Sequence, residues 1–340
     1  MPGICRRVGP VMFAASLLTT AAGAQMVVSL DPALGEYPEG VAIDKPGNIW
    51  VSVQDLCEVR RYTPDGRETL RVRVAPEADC VGAGGLAVDA TGVLYVATVS
   101  SNPETHGVMV VDAQRRGARA NQPPLVSHVA GTEDIVSPNA LAFDHHNGSL
   151  FVTDFVKGAV WRVGPQGDVA VWIESPLLLG TPNPPFFPPG TVLGANGIAV
   201  GCATYAAECE RKAVYVAVTF VPRLVRFAVE DDGSAGTPEL LVTPPMFFAA
   251  GVFFLDGLQL DVLGNVYLAS PSLPGIVEAD AQGWGLSIVA DKVGGSALSL
   301  VFGTGKGTRQ DLFVTLNSSF GGVVNGLVRI PVGMPGMPLP

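Results

Sequence analysis

The strongest constraint in this chain is a short unit that returns six times. Four copies share one form: a small residue, a mostly apolar run, Asp, a Gly-containing turn and a second apolar run. They are Gly40-Val-Ala-Ile-Asp44 with Asn48-Ile-Trp-Val-Ser52, Gly85-Leu-Ala-Val-Asp89 with Val93-Leu-Tyr-Val-Ala97, Ala140-Leu-Ala-Phe-Asp144 with Ser149-Leu-Phe-Val-Thr153, and Gly257-Leu-Gln-Leu-Asp261 with Asn265-Val-Tyr-Leu-Ala269. Two copies carry longer turns: Gly197-Ile-Ala-Val-Gly201 with Ala213-Val-Tyr-Val-Ala217, and Ala297-Leu-Ser-Leu-Val301 with Asp311-Leu-Phe-Val-Thr315. Further strand-like runs follow the pair, such as Glu58 to Tyr62 and Ala159 to Val163. A repeat of roughly 40 to 60 residues that reads as about four strands cannot bury both faces alone, but it can when copies stack around an axis. The prediction is an all-β protein, a six-bladed β-propeller, because a two-sheet sandwich does not require the regular return of the unit. Closure is expected between a strand around Val27 to Leu30 and the last strands around Gly326 to Val332, which removes an exposed sheet edge.

The first strand of each blade lines the central channel, so one register of the repeat forms a ring about the axis. The position before the small residue reads Glu39, Gly84, Asn139, Asn196, Asp256 and Ser296 through the six units. Two carboxylates and two amides from four blades therefore point at one axis. Any single Asn-Gly or Asp-Gly is an ordinary turn dipeptide; four polar residues in matching positions call for a ligand. Crowded carboxylates repel one another, whereas a hard divalent cation accepts both, together with the amide oxygens. Calcium suits this set better than magnesium, which prefers small octahedral sites with several waters, and better than zinc, since no His or Cys shares the register.

At these residues the chain resembles the six-bladed SMP-30/gluconolactonase/LRE-like family, with strictosidine synthase-like and paraoxonase-like proteins as more distant kin. The resemblance covers nearly all of the mature chain. It rests on Pro38-Glu39-Gly40, Ser137-Pro138-Asn139, Ala195-Asn196-Gly197 and Leu255-Asp256-Gly257 followed by Asp261-Val-Leu-Gly-Asn265-Val-Tyr. It implies that Glu39, Asn196 and Asp256 bind the divalent cation, and that Asn139 helps to hold metal or substrate, although Ala140 stands where Gly is usual. It further implies hydrolysis of a lactone or ester, with Asp256 as general base or nucleophile.

Other site candidates come from loops on the same face as the axial ring. His106, within Ser100 to Gly107, is a candidate base and substrate contact, and Asp154 follows the second strand of its unit, where it either meets substrate or begins a turn. His145 and His146 fall in a turn on the opposite face, where solvation is expected. Two insertions, Glu174 to Ala195 and Pro244 to Leu255, carry Leu177-Leu-Leu179, Pro184-Pro-Phe-Phe-Pro-Pro189, Met246-Phe-Phe248 and Phe253-Phe254. They suggest an apolar lid with Phe247 and Phe248 as substrate contacts, favouring a hydrophobic lactone or ester. The alternative is a cover without a ligand role. No Gly-x-Ser-x-Gly elbow, Walker loop or dinucleotide fingerprint appears in strand-to-helix context. The competing functions are a non-enzymatic ligand- or protein-binding propeller with structural calcium, and a strictosidine synthase-like enzyme, whose activity does not call for these metal ligands.

Residues 1 to 24 carry Arg6 and Arg7, an apolar stretch from Val11 to Leu18 and Ala22-Gly23-Ala24. This is the order of a signal peptide cleaved before Gln25, so a single domain over residues 25 to 340 is expected to be secreted or periplasmic. The apolar run is shorter than the ~20 residues needed to span a bilayer, and no later stretch is uninterrupted enough. The net charge of −10 falls to −12 without the two arginines. Such acidity argues against nucleic acid as a partner and leaves a small molecule. Export retains Cys57, Cys80, Cys202 and Cys209, which allow three pairings. Cys57 with Cys80 and Cys202 with Cys209 is the preferred one.

Overall fold

The computed structural model describes residues 23–113, 124–182, 190, 192–202, 211–273 and 275–337. The described residues form six four-stranded antiparallel sheets. The innermost strands are Pro38–Ile43, Cys80–Val88, Pro138–Asp144, Ala195–Cys202, Leu258–Leu260 and Gly295–Phe302. In blades one to five the four strands of each sheet are consecutive in the chain; in blade six the order is Gln25–Ser29, Gly326–Pro331, Asp311–Gly322, Gly295–Phe302. The N-terminal strand thus supplies the outer edge of the last blade, with Gln25 opposite Arg329 and Ser29 opposite Gly326. This is the closure expected from sequence, and the six-bladed propeller stands.

Burial explains why the repeat reads as it does. Second strands such as Ile49–Val53 and Val266–Ser270 are buried along their whole length, because each blade is covered on both faces by its neighbours. A strand covered on both sides has no reason to alternate. The outermost strands, by contrast, are largely exposed, as in Glu68–Arg73 and Val169–Glu174. Between blades one and two, Trp50, Val59, Leu86, Leu94, Val96 and Met109 interlock in one cluster. Each such side chain contributes about 1.5–3 kcal/mol of burial, so the interfaces between blades hold the ring closed.

The Asp of the repeat fixes the turn at the lower end of the four blades that carry it, one, two, three and five. The Asp44 carboxylate accepts from the Asn48 backbone N–H and Nδ2, both at 2.7 Å, and Asp261 accepts from the Leu263 and Asn265 backbone and from Asn265 Nδ2. This satisfies the turn amides and leaves these carboxylates no role in the site above. His145, in the turn of blade three, is half-buried against Phe143 at 5.7 Å rather than solvated, and burial pushes its pKa down. Beyond the last strand the chain crosses the lower face to blade five, where the Val262 N–H donates to Pro335 O and Met337 N–H to Leu260 O.

A disulfide joins Cys57 to Cys80 and ties blade one to the start of the inner strand of blade two. Cys202 is also disulfide-bonded; Cys209, the partner suggested by sequence, lies outside the described residues, as do residues 1–22 of the signal region and 183–189 of the Pro-Phe insertion. Among the described residues no helix is long and apolar enough to cross a membrane.

Candidate metal and active site

Five of the six inner strands are irregular where they meet the axis. The register with the second strand breaks between Pro38 and Val41, Ala83 and Leu86, Pro138 and Leu141, Ala195 and Ile198, and Ala297 and Leu300. A bulge inserts a residue and re-aims a side chain out of the sheet plane. The bulged pairs are Glu39-Gly40, Gly84-Gly85, Asn139-Ala140, Asn196-Gly197 and, in blade six, Leu298-Ser299; in blade five Asp256-Gly257 immediately precedes the strand.

The axial ring is therefore Glu39, Gly84, Asn139, Asn196, Asp256 and Leu298. The first five members agree with the sequence reading, and the sixth corrects it, since Leu298 and not Ser296 holds the position. Pairing of Leu300 with Val314 in blade six matches that of Val41 with Val51 in blade one. A slip of two residues preserves the alternation of a strand, so the apolar pattern alone cannot distinguish the two registers.

Close approach of neighbouring inner strands explains the small residue after each axial position. A Cβ on Gly197 would lie 2.3 Å from Asp256 O, and one on Gly40 would lie 2.6 Å from Gly84 O. The strands touch backbone to backbone around the channel, which brings side chains more than two hundred positions apart to one place.

The electrostatics of Asp256 reflect the nearness of Glu39 and Asn196. Asp256 has its pKa raised well above the usual carboxylate range, first by burial and next by the negative charge of Glu39, against the lowering effect of hydrogen bonds from the Asn196 side chain and the Gly257 backbone. Burial pushes Glu39 up to about 8. Glu39 and Asn196 are almost completely buried, whereas Asp256 stays partly exposed. Asn196 Nδ2 donates to Thr219 Oγ1 at 2.8 Å, which turns its Oδ1 away from that partner. Five buried side-chain polar atoms among the described residues lack a hydrogen-bond partner, and the three oxygens in that set are Glu39 Oε2, Asn139 Oδ1 and Asn196 Oδ1. All three belong to the axial ring. Leaving a buried acceptor unpaired costs about 1–3 kcal/mol, so three on one ring mark a place built for a positive partner.

The donor set fits a hard divalent cation: two carboxylates and two amides offer oxygen only. Among the described residues no group of three or more His, Cys, Asp or Glu side chains is gathered, so a cation held here would take its remaining donors from the amides. Gly84 and Leu298 contribute no donor and leave blades two and six as neutral sectors of the ring.

The loop candidates fare differently. His106 Nδ1 accepts from the Ser100 N–H at 3.1 Å and Nε2 meets Ile135 O at 2.7 Å, so both ring nitrogens are held by backbone and neither is free to act as a base. Asp154 is fully buried, and its carboxylate accepts from the backbone of Val136, Ser137, Val156 and Lys157. It fixes the loop beside Asn139 and has the turn-forming role rather than the substrate-contacting one. Phe247 is a core residue: it lies in the short helix Pro244–Ala249, fully buried with Val252 and Leu255. Phe248 of the same helix is 45% exposed and faces Phe253, 58% exposed, at 5.9 Å. The blade-five insertion thus supplies an exposed aromatic pair, with the buried Phe247 anchoring its helix; in the other insertion Leu178 is fully buried against blades three and four. Further exposed apolar side chains are Leu34 and Val136 ahead of inner strands, Val81 at the start of one, and Phe320 near the end of a second strand.

Two features of the site were not anticipated from sequence. Thr219 orients Asn196, and two residues later Val221 holds a left-handed backbone (φ 62°). That conformation is unfavourable for a β-branched residue by about 1–2 kcal/mol. Such strain gathers at functional loops. The only available signal was the position of Thr219-Phe-Val-Pro222 just beyond a second strand.

No protein-family model matches the chain, and no curated protein matches it in sequence. Solved structures do. Luciferin-regenerating enzyme superposes with a TM-score of 0.66 at 16% identity over 93% of this chain and 97% of that one. Regucalcin from Agrobacterium tumefaciens, a calcium-binding protein, gives 0.64 at 17% over 94% and 97%. A gluconolactonase from Xanthomonas campestris gives 0.59 at 19% over 94% and 99%. At such identities the likeness is one of architecture, and it closes the question of fold: the chain is a six-bladed β-propeller built like those of the SMP-30/gluconolactonase type.

Proposed function

We propose that the protein is an exported hydrolase that uses a divalent cation, calcium, to open a lactone or ester bearing an apolar substituent. The observation that carries this reading is the axial ring, in which Glu39, Asn139 and Asn196 each present a buried oxygen with no donor beside the Asp256 carboxylate. Glu39, Asn139, Asn196 and Asp256 would hold the cation. When bound, calcium supplies a Lewis acid that polarises a carbonyl oxygen.

The chain's own residues supply the rest. With a cation offsetting the charge of Glu39, Asp256, the partly exposed member of the pair, would be ionised; its carboxylate takes a proton from the attacking water as the new carbon–oxygen bond forms, and returns it to the ring oxygen as the acyl bond breaks. Water and lactone become the hydroxy acid, and Asp256 ends in its starting state. Phe248 and Phe253 offer apolar area to the substituent of the substrate. Gluconolactonase and calcium-binding neighbours support this class of chemistry. An oxidising compartment, secreted or periplasmic, agrees with the signal-like residues 1 to 24 and the Cys57–Cys80 bridge.

The test is turnover of aliphatic and aromatic lactones and esters with calcium and with chelator. Asp256→Asn is expected to lower kcat by about 10²–10⁴-fold with the fold retained. No turnover of any lactone, ester or phosphotriester by protein that binds calcium would replace this reading with a non-enzymatic binding propeller.

A further inference from the structure

A second ring lies behind the axial one. The last residue of the second-strand run is Ser52, Ala97, Thr153, Ala217, Ala269 and Thr315 in blades one to six. Its three hydroxyls, all fully buried, make the same two bonds. Each accepts from the bulged N–H of its own inner strand: Gly40 to Ser52 at 2.7 Å, Ala140 to Thr153 at 2.9 Å and Ser299 to Thr315 at 2.9 Å. Each then donates to the axial carbonyl of the following blade: Ser52 to Gly84 O at 2.7 Å, Thr153 to Asn196 O at 2.7 Å and Thr315 to Glu39 O at 2.6 Å. In blade five the position is Ala269, and there the Gly257 N–H donates directly to Leu298 O of the next blade at 2.7 Å.

The hydroxyl is thus a spacer. Where it is present, an N–H···O–H···O=C relay joins adjacent inner strands; in blade five, where Ala269 takes its place, the strands bond directly. The relays from Thr315 and Thr153 end on Glu39 and Asn196, two residues of the cation ring, and the relay from Ser52 ends on Gly84, which has no side chain to place.

We propose that Thr315 and Thr153 are positioning residues that set Glu39 and Asn196 at cation-holding separation from across a blade boundary. The proposal rests on the reading of the axial ring as a cation site. Groups behind the ligands commonly alter metal affinity by about 10–100-fold when removed.

Calcium titration by calorimetry into the full mature chain tests it, using Thr315→Val and Thr153→Val, with Thr315→Ser and Thr153→Ser restoring the hydroxyl. The expected result is calcium affinity at least tenfold weaker in each valine variant and within about threefold of wild type in each serine variant. Equal affinity in wild type and both valine variants overturns the positioning role while leaving the cation site standing. Absence of calcium binding to the wild type removes the cation reading itself and the proposal with it. Should the valine variants fail to fold, the serine variants decide: affinity more than tenfold below wild type with the hydroxyl present overturns the proposal, and near-native affinity supports it.

Discussion

Without a cation, the axial ring sets the buried Glu39 carboxyl beside that of the partly exposed Asp256, and the consequence is a stability that falls as pH rises. Glu39 titrates in the folded protein at about 8, against an ordinary 4.5. A raised acid pKa means that the folded state keeps its proton where the unfolded state has released it, so the unfolded state binds fewer protons across that window. Stability is therefore full below the ordinary value and is lost as pH climbs toward the folded one, at about 1.4 kcal/mol per pH unit and on the order of 3 kcal/mol by pH 7. Asp256, raised in the same direction, adds to the loss. Glu39→Gln removes the titrating group while keeping its shape. In chelator at pH 7 the variant is expected to melt roughly 5 °C above wild type, with the difference vanishing near pH 4.5. In millimolar calcium the order reverses, because a bound cation stabilises the wild type by mass action. Scanning calorimetry of both proteins from pH 4.5 to 8.5, with chelator and with calcium, measures the difference directly. A wild type as stable as Glu39→Gln in chelator at pH 7, or one whose relative stability rises with pH, refutes the argument that the ring is electrostatically incomplete on its own.

The aromatic residues of the blade-five insertion separate stability from recognition. Phe247→Ala is expected to destabilise by about 3–5 kcal/mol in a chemical denaturation series, as a fully buried Phe does. Phe248→Ser with Phe253→Ser is expected to leave the transition midpoint nearly in place and to raise KM for long-chain lactones more than for short ones; equal KM changes for both would deny the pair a substrate role. Replacement of Cys57 and Cys80 by Ser opens a loop of sequence separation 23 and is expected to lower stability by about 3 kcal/mol, read from urea midpoints, with calcium affinity unchanged. A loss of affinity comparable to that of Asp256→Asn would place the disulfide in the site's support instead.

The fold was legible because its evidence is local. Six returns of a small residue, an apolar run, a turn and a second run report strands buried on both sides, and each return can be read within about fifteen residues of chain. The ring members Glu39, Asn139, Asn196 and Asp256 followed from the same alignment, since a register shared by blades becomes a ring once the blades close. Where the turn between strands is long, as between Gly295–Phe302 and Asp311–Gly322, the alignment lost its anchor and slipped by two, putting Ser296 where Leu298 stands.

The fate of the loop residues was not legible. A His or an Asp beside a candidate site has the same sequence signature whether its polar atoms face a substrate or are taken up by backbone. His106 and Asp154 proved to be held by Ser100, Ile135 and the amides around Ser137, partners supplied by neighbouring segments. The same holds for Phe247 and Phe248, adjacent in sequence and on opposite sides of a helix that no periodicity announced.

Sequence alone determined the blade count and the closing strand, and it set Glu39, Asn139, Asn196 and Asp256 at one register of the repeat. Tertiary structure alone decided which oxygens are orphaned, in which direction the carboxyl groups are driven from their ordinary ionisation, and which hydroxyls bond the axial backbone. The reason is one of range. A strand's pattern is written by its own neighbours along the chain, but Thr315 and Glu39 meet across 276 positions, and only the closed ring sets the distance between them.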